Sequence, residues 1–154
     1  MRRRPLLLWV ASAAAVGAAP LPYDESADAH AAIRAALGAV RAGRRCVLIV
    51  FGANWCEDCR SLDLALKTRR NAEMLAREFE VVKVDVGRFD RNLDVAKSYG
   101  DPIRKGIPAA VVLSADERVL YATKAGELSN ARRMSATGVY DFFDRVVRNA
   151  RSAR

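Results

Sequence analysis

The sequence contains few of the side chains that bind metal ions. It has one histidine, His30, and three cysteines among 154 residues. A structural zinc site needs about four ligands. Cys56 and Cys59 form one Cys-x-x-Cys pair, but His30 and Cys46 do not form a second pair, and this argues against zinc. We expect His30 to be a surface or half-buried residue of the first helix and not a metal ligand.

The chain also lacks the patterns of membrane-spanning and nucleic-acid-binding proteins. Its N-terminal apolar segment, Leu6 to Ala15, is shorter than the about 20 residues that a membrane-spanning helix needs. Only 7% of the residues are aromatic, and none lies in a basic cluster that would stack bases, so nucleic-acid binding is not expected. No internal repeat or linker divides the chain after this first segment.

The first residues have the pattern of a secretory signal. Three arginines precede the apolar segment, and small residues at 16–18 suit cleavage after Ala18. We therefore predict a signal peptide at 1–18, a short leader at 19–26 and one domain at 27–150, in the periplasm or elsewhere outside the cytoplasm. An uncleaved membrane anchor is the alternative. Cleavage would remove three arginines and no acid, which lowers the net charge from +8 to +5.

Apolar periodicity predicts an alternation of helices and strands. Helices are expected from an Asp24 or Ser26 cap to about Ala42, from Cys56 to about Arg69, from an Asn71 cap to Phe79, over 93–99, and at about 137–149. Strands are expected at 46–51, 80–86, 109–113 and 119–122. Crossovers link the first strands and a hairpin links the last two, so we predict an α/β fold with a central mixed sheet and helices on both faces.

The most informative segment is the pair Cys56 and Cys59. It follows a continuous apolar strand and opens a helix, so unpaired backbone N–H groups and the helix dipole favour a thiolate at Cys56. A disulfide that encloses only two residues would restrain the unfolded chain very little. The arrangement therefore suits reversible thiol–disulfide exchange better than a structural role. Cys46, at the start of the strand, is predicted to be a buried apolar residue.

With these features the sequence resembles the thioredoxin superfamily over nearly all of residues 27–150. The matching residues are the segment 51–59, the Ile107-Pro108 dipeptide before a strand, and Gly126 after the hairpin. Within the superfamily the sequence is similar to exported members such as the C-terminal domain of the thiol–disulfide interchange protein DsbD. The resemblance implies a thioredoxin fold and a protein disulfide reductase or oxidoreductase with no cofactor besides its own redox-active disulfide.

The resemblance also assigns roles to individual residues. Cys56 is the expected nucleophile, and Cys59 the thiol that resolves the mixed disulfide. Trp55, Ile107 and Pro108 are the expected substrate-binding residues, with a cis peptide bond before Pro108. The expected substrates are disulfide-containing proteins or small thiols. The expected state is a monomer, which as a reductant would need a membrane electron donor.

One position departs from the family's pattern. Many thioredoxins carry a buried acid six residues before the first cysteine, where this chain has Val50. Asp63, one helical turn beyond Cys59, is our candidate for the missing proton acceptor, with Glu57 and Asp58 as weaker ones. A solvated helix charge is the alternative for Asp63.

Charges near the pair bear on the direction of exchange. Glu57 and Asp58 place negative charge beside Cys56 and so disfavour its thiolate, compared with a site that has a histidine between the cysteines. Lys83, on the neighbouring strand, is a candidate for favouring the thiolate, and an exposed strand lysine is the alternative. A less stabilised thiolate means a more reducing couple, so we predict a reductase or isomerase and not a strong oxidant.

Two other functions stay open from the sequence. Two thiolates suit Cu(I), so a copper-handling protein is one alternative. Against it, Met74 and Met134 are isolated, and no Met or His motif lies near the pair. The other alternative is a thioredoxin-fold interaction module whose disulfide is inert.

Overall fold

A four-stranded sheet with helices on both faces organises the chain in the computed structural model, which describes residues 17–153. The strands are β1 (Cys46–Gly52), β2 (Phe79–Asp85), β3 (Ala109–Leu113) and β4 (Val119–Ala122). The helices are α1 (Ala29–Val40), α2 (Glu57–Leu66), α3 (Arg69–Glu78), α4 (Leu93–Ser98) and α5 (Ala136–Ser152). The predicted order of helices and strands is confirmed.

The sheet is mixed, as the sequence predicts. Its strand order is β2-β1-β3-β4. The crossover through α2 and α3 makes β1 and β2 parallel, whereas β3 runs antiparallel to both β1 and β4. In the parallel pair, Val50 lies opposite Lys83 and Gly52 lies opposite Asp85. The central strand β1 therefore ends beside the end of β2.

Side chains of β1 alternate between two apolar cores, one on each face of the sheet. Val47, Ile49 and Phe51 pack with α1 and α4, while Leu48 and Val50 pack with α2, α3 and α5. Cys46 is 3% exposed and belongs to the second core. Its prediction as a buried apolar residue is confirmed. With both faces covered, the end of β1 is a rigid base for the residues that follow it.

Two predicted helix starts are wrong. Asp28 caps α1 by accepting the Ala31 N–H at 3.0 Å, so the cap is neither Asp24 nor Ser26. Thr68, and not Asn71, precedes α3. These residue types cap helices almost equally well, so the sequence alone does not choose among them.

Asn71 has a different use inside the fold. It is 1% exposed, and its side-chain amide donates to the carbonyl oxygens of Ala65 and Ala136 at 2.8 and 3.0 Å. It thereby joins the end of α2 to the start of α5. The last helix also extends beyond its predicted end, to Ser152.

The predicted signal peptide, 1–18, lies almost wholly outside the described residues. Within residues 17–153, no helix is both long enough and apolar enough to cross a membrane.

Candidate functional site

The Cys56–Cys59 pair lies where β1 gives way to α2. Cys56 is the N-cap residue, with an extended backbone (φ −77°, ψ 115°), and Cys59 lies in the first turn of α2. The two residues form a disulfide with their Cα atoms 5.2 Å apart. The backbone N–H of Cys59 points at Cys56 Sγ from 3.2 Å. A helix N-terminal donor therefore faces the sulfur that we predicted to be the nucleophile.

The two cysteine residues differ slightly in exposure. Cys56 is 6% exposed and Cys59 is 2% exposed. Cys59 belongs to the buried face of α2, together with Leu62, Asp63 and Leu66. Cys56 is therefore the more exposed of the two cysteines, while Cys59 faces the protein interior.

The Ile107-Pro108 dipeptide faces the disulfide from the start of β3. The peptide bond between the two residues is cis. The carbonyl oxygen of Ile107 lies 3.7 Å from Cys56 Sγ, and both residues are buried. This electron-rich oxygen opposes the effect of the Cys59 N–H donor on a thiolate at Cys56.

Trp55 forms an exposed aromatic surface beside Cys56. Its side chain is held in place because Nε1–H donates to the carbonyl oxygen of Gly87 at 2.8 Å. The ring packs edge-to-face on Phe89, with centroids 6.4 Å apart, and the Arg88 guanidinium lies 5.8 Å from the ring centroid. Trp55 is 47% exposed and Phe89 is 44% exposed, so the two rings form an exposed apolar patch beside Cys56.

Arg132 places a positive charge beside the two acids between the cysteines. Its backbone N–H donates to Asp58 Oδ1 at 2.9 Å. Its guanidinium lies 3.4 Å from Glu57 Oε2 and 3.6 Å from Asp58 Oδ2. Our sequence prediction treated Glu57 and Asp58 as uncompensated and missed Arg132, which comes from the segment before α5.

Asp63 is buried and ion-paired, so the alternative of a solvated helix charge is wrong. It is 6% exposed, it pairs with Lys83, and its Oδ2 lies 2.7 Å from the Lys67 ammonium. Burial raises the pKa of Asp63, but hydrogen bonds and charges from Lys67 and Lys83 outweigh it and hold the pKa below the ordinary value. The Asp63–Lys83 pair lies next to Val50, the register partner of Lys83.

The leader contributes a side chain that the sequence prediction missed. Tyr23 is 5% exposed and belongs to the same core as both cysteines, the one that includes α1. A Cβ atom on Gly52 would stand 2.9 Å from Cys59 Sγ and closer still to the Tyr23 hydroxyl. Glycine is required at position 52 because these two side chains fill the space above it.

Charges around Tyr23 affect its hydroxyl. Burial raises the pKa of Tyr23 far above its usual range, and the negative charges of Asp63 and Asp85 raise it further. Asp85 is itself 4% exposed, and its Oδ2 lies 3.3 Å from the Arg91 guanidinium. Its Oδ1 is buried and accepts no hydrogen bond from the described residues.

Other sequence candidates lie away from this site. Cys46 is at the opposite end of β1 from Gly52. His30 is exposed on α1, and its Nε2 lies 2.7 Å from Asp94 Oδ2. Within residues 17–153, no group of three or more His, Cys, Asp and Glu side chains is arranged to hold a metal ion.

Comparison with known proteins gives a consistent result. A family model described as thioredoxin-like matches residues 28–115. The crystal structure of a disulphide isomerase from Xylella fastidiosa Temecula1 is 54% identical and has a TM-score of 0.82, covering 84% of this chain and 98% of that one. The oxidised C-terminal domain of DsbD from Neisseria meningitidis is 23% identical, with a TM-score of 0.49 over 62% of this chain and 82% of that one, which is too distant to bear on function. No curated protein matches the chain.

Proposed function

Because the chain belongs to the thioredoxin-like family, we propose that it is a thiol–disulfide oxidoreductase acting through Cys56 and Cys59. The observation that carries the proposal is the disulfide itself, with its outer sulfur on a helix N-terminal N–H and its inner sulfur in the core. The 54% identical relative, described as a disulphide isomerase, supports the same chemistry.

Exchange proceeds in two steps that conserve electrons. In the reduced protein, the Cys56 thiolate attacks a substrate disulfide and forms a mixed disulfide, and one substrate sulfur leaves as a thiolate. The Cys59 thiolate then attacks Cys56 Sγ, the Cys56–Cys59 disulfide forms, and the second substrate sulfur leaves. Two electrons pass from the protein to the substrate.

The substrate is a disulfide-containing protein or a small thiol, which enters the reductive direction in its disulfide form. Trp55 supplies apolar contact area beside Cys56, and the Ile107-Pro108 backbone holds an extended substrate segment next to the sulfur. A groove lies between α4 and the segment before Ile107, and Phe89, Leu93 and Ile103 form its apolar lining. Phe89 also contacts Trp55, so we place the rest of the substrate segment in this groove.

Charge in that groove favours acidic substrate segments. Its lining includes Lys97 and Arg104, against one acid, Asp101. Opposite charge across an interface raises the rate of encounter more than the final affinity. We therefore expect faster exchange with substrates that carry acidic residues next to the disulfide.

The protein acts on the reducing or isomerising side. The Ile107 carbonyl and the Glu57 carboxylate both disfavour a thiolate at Cys56, although Arg132 offsets part of this effect. A less stabilised thiolate gives a more reducing couple. Equilibration with glutathione measures the potential, and a value near the about −120 mV of the strongest oxidants would contradict this direction.

The N-terminal sequence motivates the proposed location. A periplasmic monomer that reduces disulfides in an oxidising compartment must itself be reduced, and a membrane protein is the expected electron donor. Cell fractionation and the mass of the mature chain test cleavage after Ala18. Recovery of the uncleaved chain from the cytoplasm would contradict this location.

Insulin reduction with dithiothreitol tests the activity. We expect turnover by the wild type and by the control Cys46→Ala, and none by Cys56→Ser. Cys59→Ala should accumulate mixed disulfides on Cys56, which identify substrates and the electron donor. Stoichiometric Cu(I) binding without turnover would favour the copper-handling alternative. If Cys59→Ala forms no mixed disulfide although Cys56 is accessible, the protein would instead be an interaction module with an inert disulfide.

A further inference from the structure

Resolution of the mixed disulfide requires Cys59 to lose a proton inside the core. The thiol is 2% exposed, so bulk water does not readily take the proton. A thiolate formed there also loses the hydration that would stabilise it. A nearby group must receive the proton, and a donor must stabilise the sulfur that remains.

Asp63 is poorly suited to receive that proton. Both of its oxygens are ion-paired, one with Lys83 and the other with Lys67. These partners also hold its pKa low, so the carboxylate is a weak base. Asp63 and Lys83 therefore act on the site as fixed charges and not as the acceptor.

The space above Gly52 brings together better candidates. The Tyr23 hydroxyl and Cys59 Sγ both border the point where a Gly52 Cβ would stand. Asp85 is the register partner of Gly52 on β2. Register partners project to the same face of a sheet from strands about 4.8 Å apart. The Asp85 side chain therefore starts next to the point that Tyr23 and Cys59 border.

Asp85 has the free acceptor that Asp63 lacks. Its Oδ2 is engaged by Arg91 at 3.3 Å. Its Oδ1 is buried and accepts no hydrogen bond from residues 17–153. A buried carboxylate oxygen without a donor is costly, and a proton delivered to it would remove that cost.

We propose that the Tyr23 hydroxyl relays the Cys59 proton to Asp85 Oδ1 and then donates a hydrogen bond to the Cys59 thiolate. The inference rests on the proposed exchange activity. Tyr23 takes the thiol proton and passes its own to Asp85, which becomes a neutral acid. Cys59 then attacks Cys56 Sγ, the new disulfide forms, and the bond from Cys56 to the substrate breaks with the electron pair leaving on the substrate sulfur.

Burial and the nearby negative charges keep the Tyr23 hydroxyl protonated. Its raised pKa means that the phenol stays protonated at neutral pH, so the hydroxyl remains available as a donor. The group comes from the leader, outside the family-matched segment 28–115. The charged groups closest to this space by their printed contacts are Glu25, Asp63, Lys67, Lys83, Asp85 and Arg91. The same elements also carry Asp24 in the leader and Glu57, Asp58 and Arg60 in the first turn of α2.

Reaction of the reduced protein with 5,5′-dithiobis(2-nitrobenzoate) separates the two steps. Attack by Cys56 releases the first coloured thiolate, and ring closure by Cys59 releases the second. We expect Tyr23→Phe and Asp85→Asn each to slow the second release by at least about tenfold at neutral pH, with the first unchanged. In both variants the second rate should rise with hydroxide concentration between about pH 5 and 9. The double variant should be no slower than the slower single one.

Tyr99→Phe is the matched control. Tyr99 is another buried tyrosine, but its hydroxyl donates to Glu117 at 2.8 Å in the hairpin turn, so its loss should change neither release. Circular dichroism and thermal melting confirm folding. Tyr23→Phe keeps the ring and the backbone contacts of residue 23. If either Tyr23→Phe or Asp85→Asn does not fold, the second-release rate of the other variant tests the relay.

The outcomes are distinct. A second release at the wild-type rate and pH profile in Tyr23→Phe would overturn the relay. A slowed Tyr23→Phe with an unaffected Asp85→Asn would also overturn it, because the proton would then go elsewhere. No first release from the wild type would instead refute the proposed exchange activity.

Discussion

Tyr23 and Asn54 are joined by two reciprocal hydrogen bonds. The Tyr23 backbone N–H donates to Asn54 Oδ1 at 2.9 Å, and Asn54 Nδ2 donates to the Tyr23 carbonyl oxygen at 2.9 Å. The same amide nitrogen lies 3.1 Å from Glu25 Oε1. One side chain in the loop before Cys56 therefore fixes the leader against the redox site.

Asn54→Ala should release the leader. It removes both bonds to Tyr23, each worth about 1 kcal/mol, so we expect the free energy of unfolding to fall by about 1–2 kcal/mol. Limited proteolysis should then cut the chain before α1. The control Asn149→Ala changes an exposed residue of α5 and should leave the leader protected. Equal protection of the leader in both variants would contradict the role of Asn54.

Gly52→Ala should destabilise the protein, whereas Gly38→Ala should not. A Cβ at position 52 would stand 2.9 Å from Cys59 Sγ, whereas a Cβ at position 38 meets nothing within 4 Å. Overpacking costs about 1–3 kcal/mol, and alanine in place of a helix glycine gains up to about 1 kcal/mol. Urea unfolding of both variants measures the difference. Equal free energies of unfolding for Gly52→Ala and Gly38→Ala would show that the space above Gly52 can accommodate a methyl group.

Asp63→Asn should cost stability in a pH-dependent way. The pKa of Asp63 is below its ordinary value in the folded protein, so its contribution is present above that value and is lost as the pH falls through the folded pKa. We expect the free energy of unfolding of Asp63→Asn to be about 2 kcal/mol below that of the wild type at neutral pH, and this difference to become smaller below about pH 4.

Asp144→Asn is the control for this measurement. It breaks a more exposed i,i+4 pair with Arg148 and should cost no more than about 0.5 kcal/mol. A loss in Asp63→Asn that is constant from neutral to acid pH would mean that the carboxylate charge is not what stabilises the fold.

Arg132→Ala should make the redox couple more reducing. It removes the cation beside Glu57 and Asp58 and so further disfavours a thiolate at Cys56. Exposed ion pairs contribute about 0.2–1 kcal/mol, which corresponds to a shift of about 5–20 mV in the two-electron potential. Arg133→Ala, at the neighbouring exposed position, is the control. A shift in the opposite direction, or an equal one in Arg133→Ala, would count against the assignment.

Reversing the charges of Lys97 and Arg104 should slow exchange with acidic substrates. We expect kcat/KM for a peptide with acidic residues beside its disulfide to fall about tenfold in Lys97→Glu/Arg104→Glu, and the wild-type rate to fall with added salt. Arg34→Glu, on α1, changes the net charge without touching the groove. The same loss with a neutral peptide, or in the control, would exclude recognition by the groove.

Local patterns were sufficient to predict the redox pair and its scaffold. The apolar run before Cys56 lies in β1, as predicted. Val82 and Val84 lie in β2 and Val86 directly follows it, and the three alternating valines pack into one core. Cys56 at a helix start follows from the sequence around it. Apolar periodicity and helix-start patterns depend on neighbouring residues only, so the sequence alone predicts the number and order of the α-helices and strands.

Contacts between distant segments could not be predicted. Tyr23 reads as part of an extended leader, and Arg132 as one charge in a polar segment. Each acquires its role only when the fold brings it to the disulfide. The predicted cap at Asn71 was wrong for a related reason, because its side chain binds the start of α5 and no helix pattern encodes that contact.

The position of Tyr23 and Arg132 relative to the family-matched segment, 28–115, has a practical consequence. One residue precedes the segment and the other follows it, yet Tyr23 borders Cys59 and Arg132 contacts the two acids between the cysteines. A fragment trimmed to those limits would keep both sulfurs and lose the two side chains to which we assign an effect on their reactivity. Exchanging these flanks between relatives would therefore retune the potential while the Cys-x-x-Cys sequence stays intact.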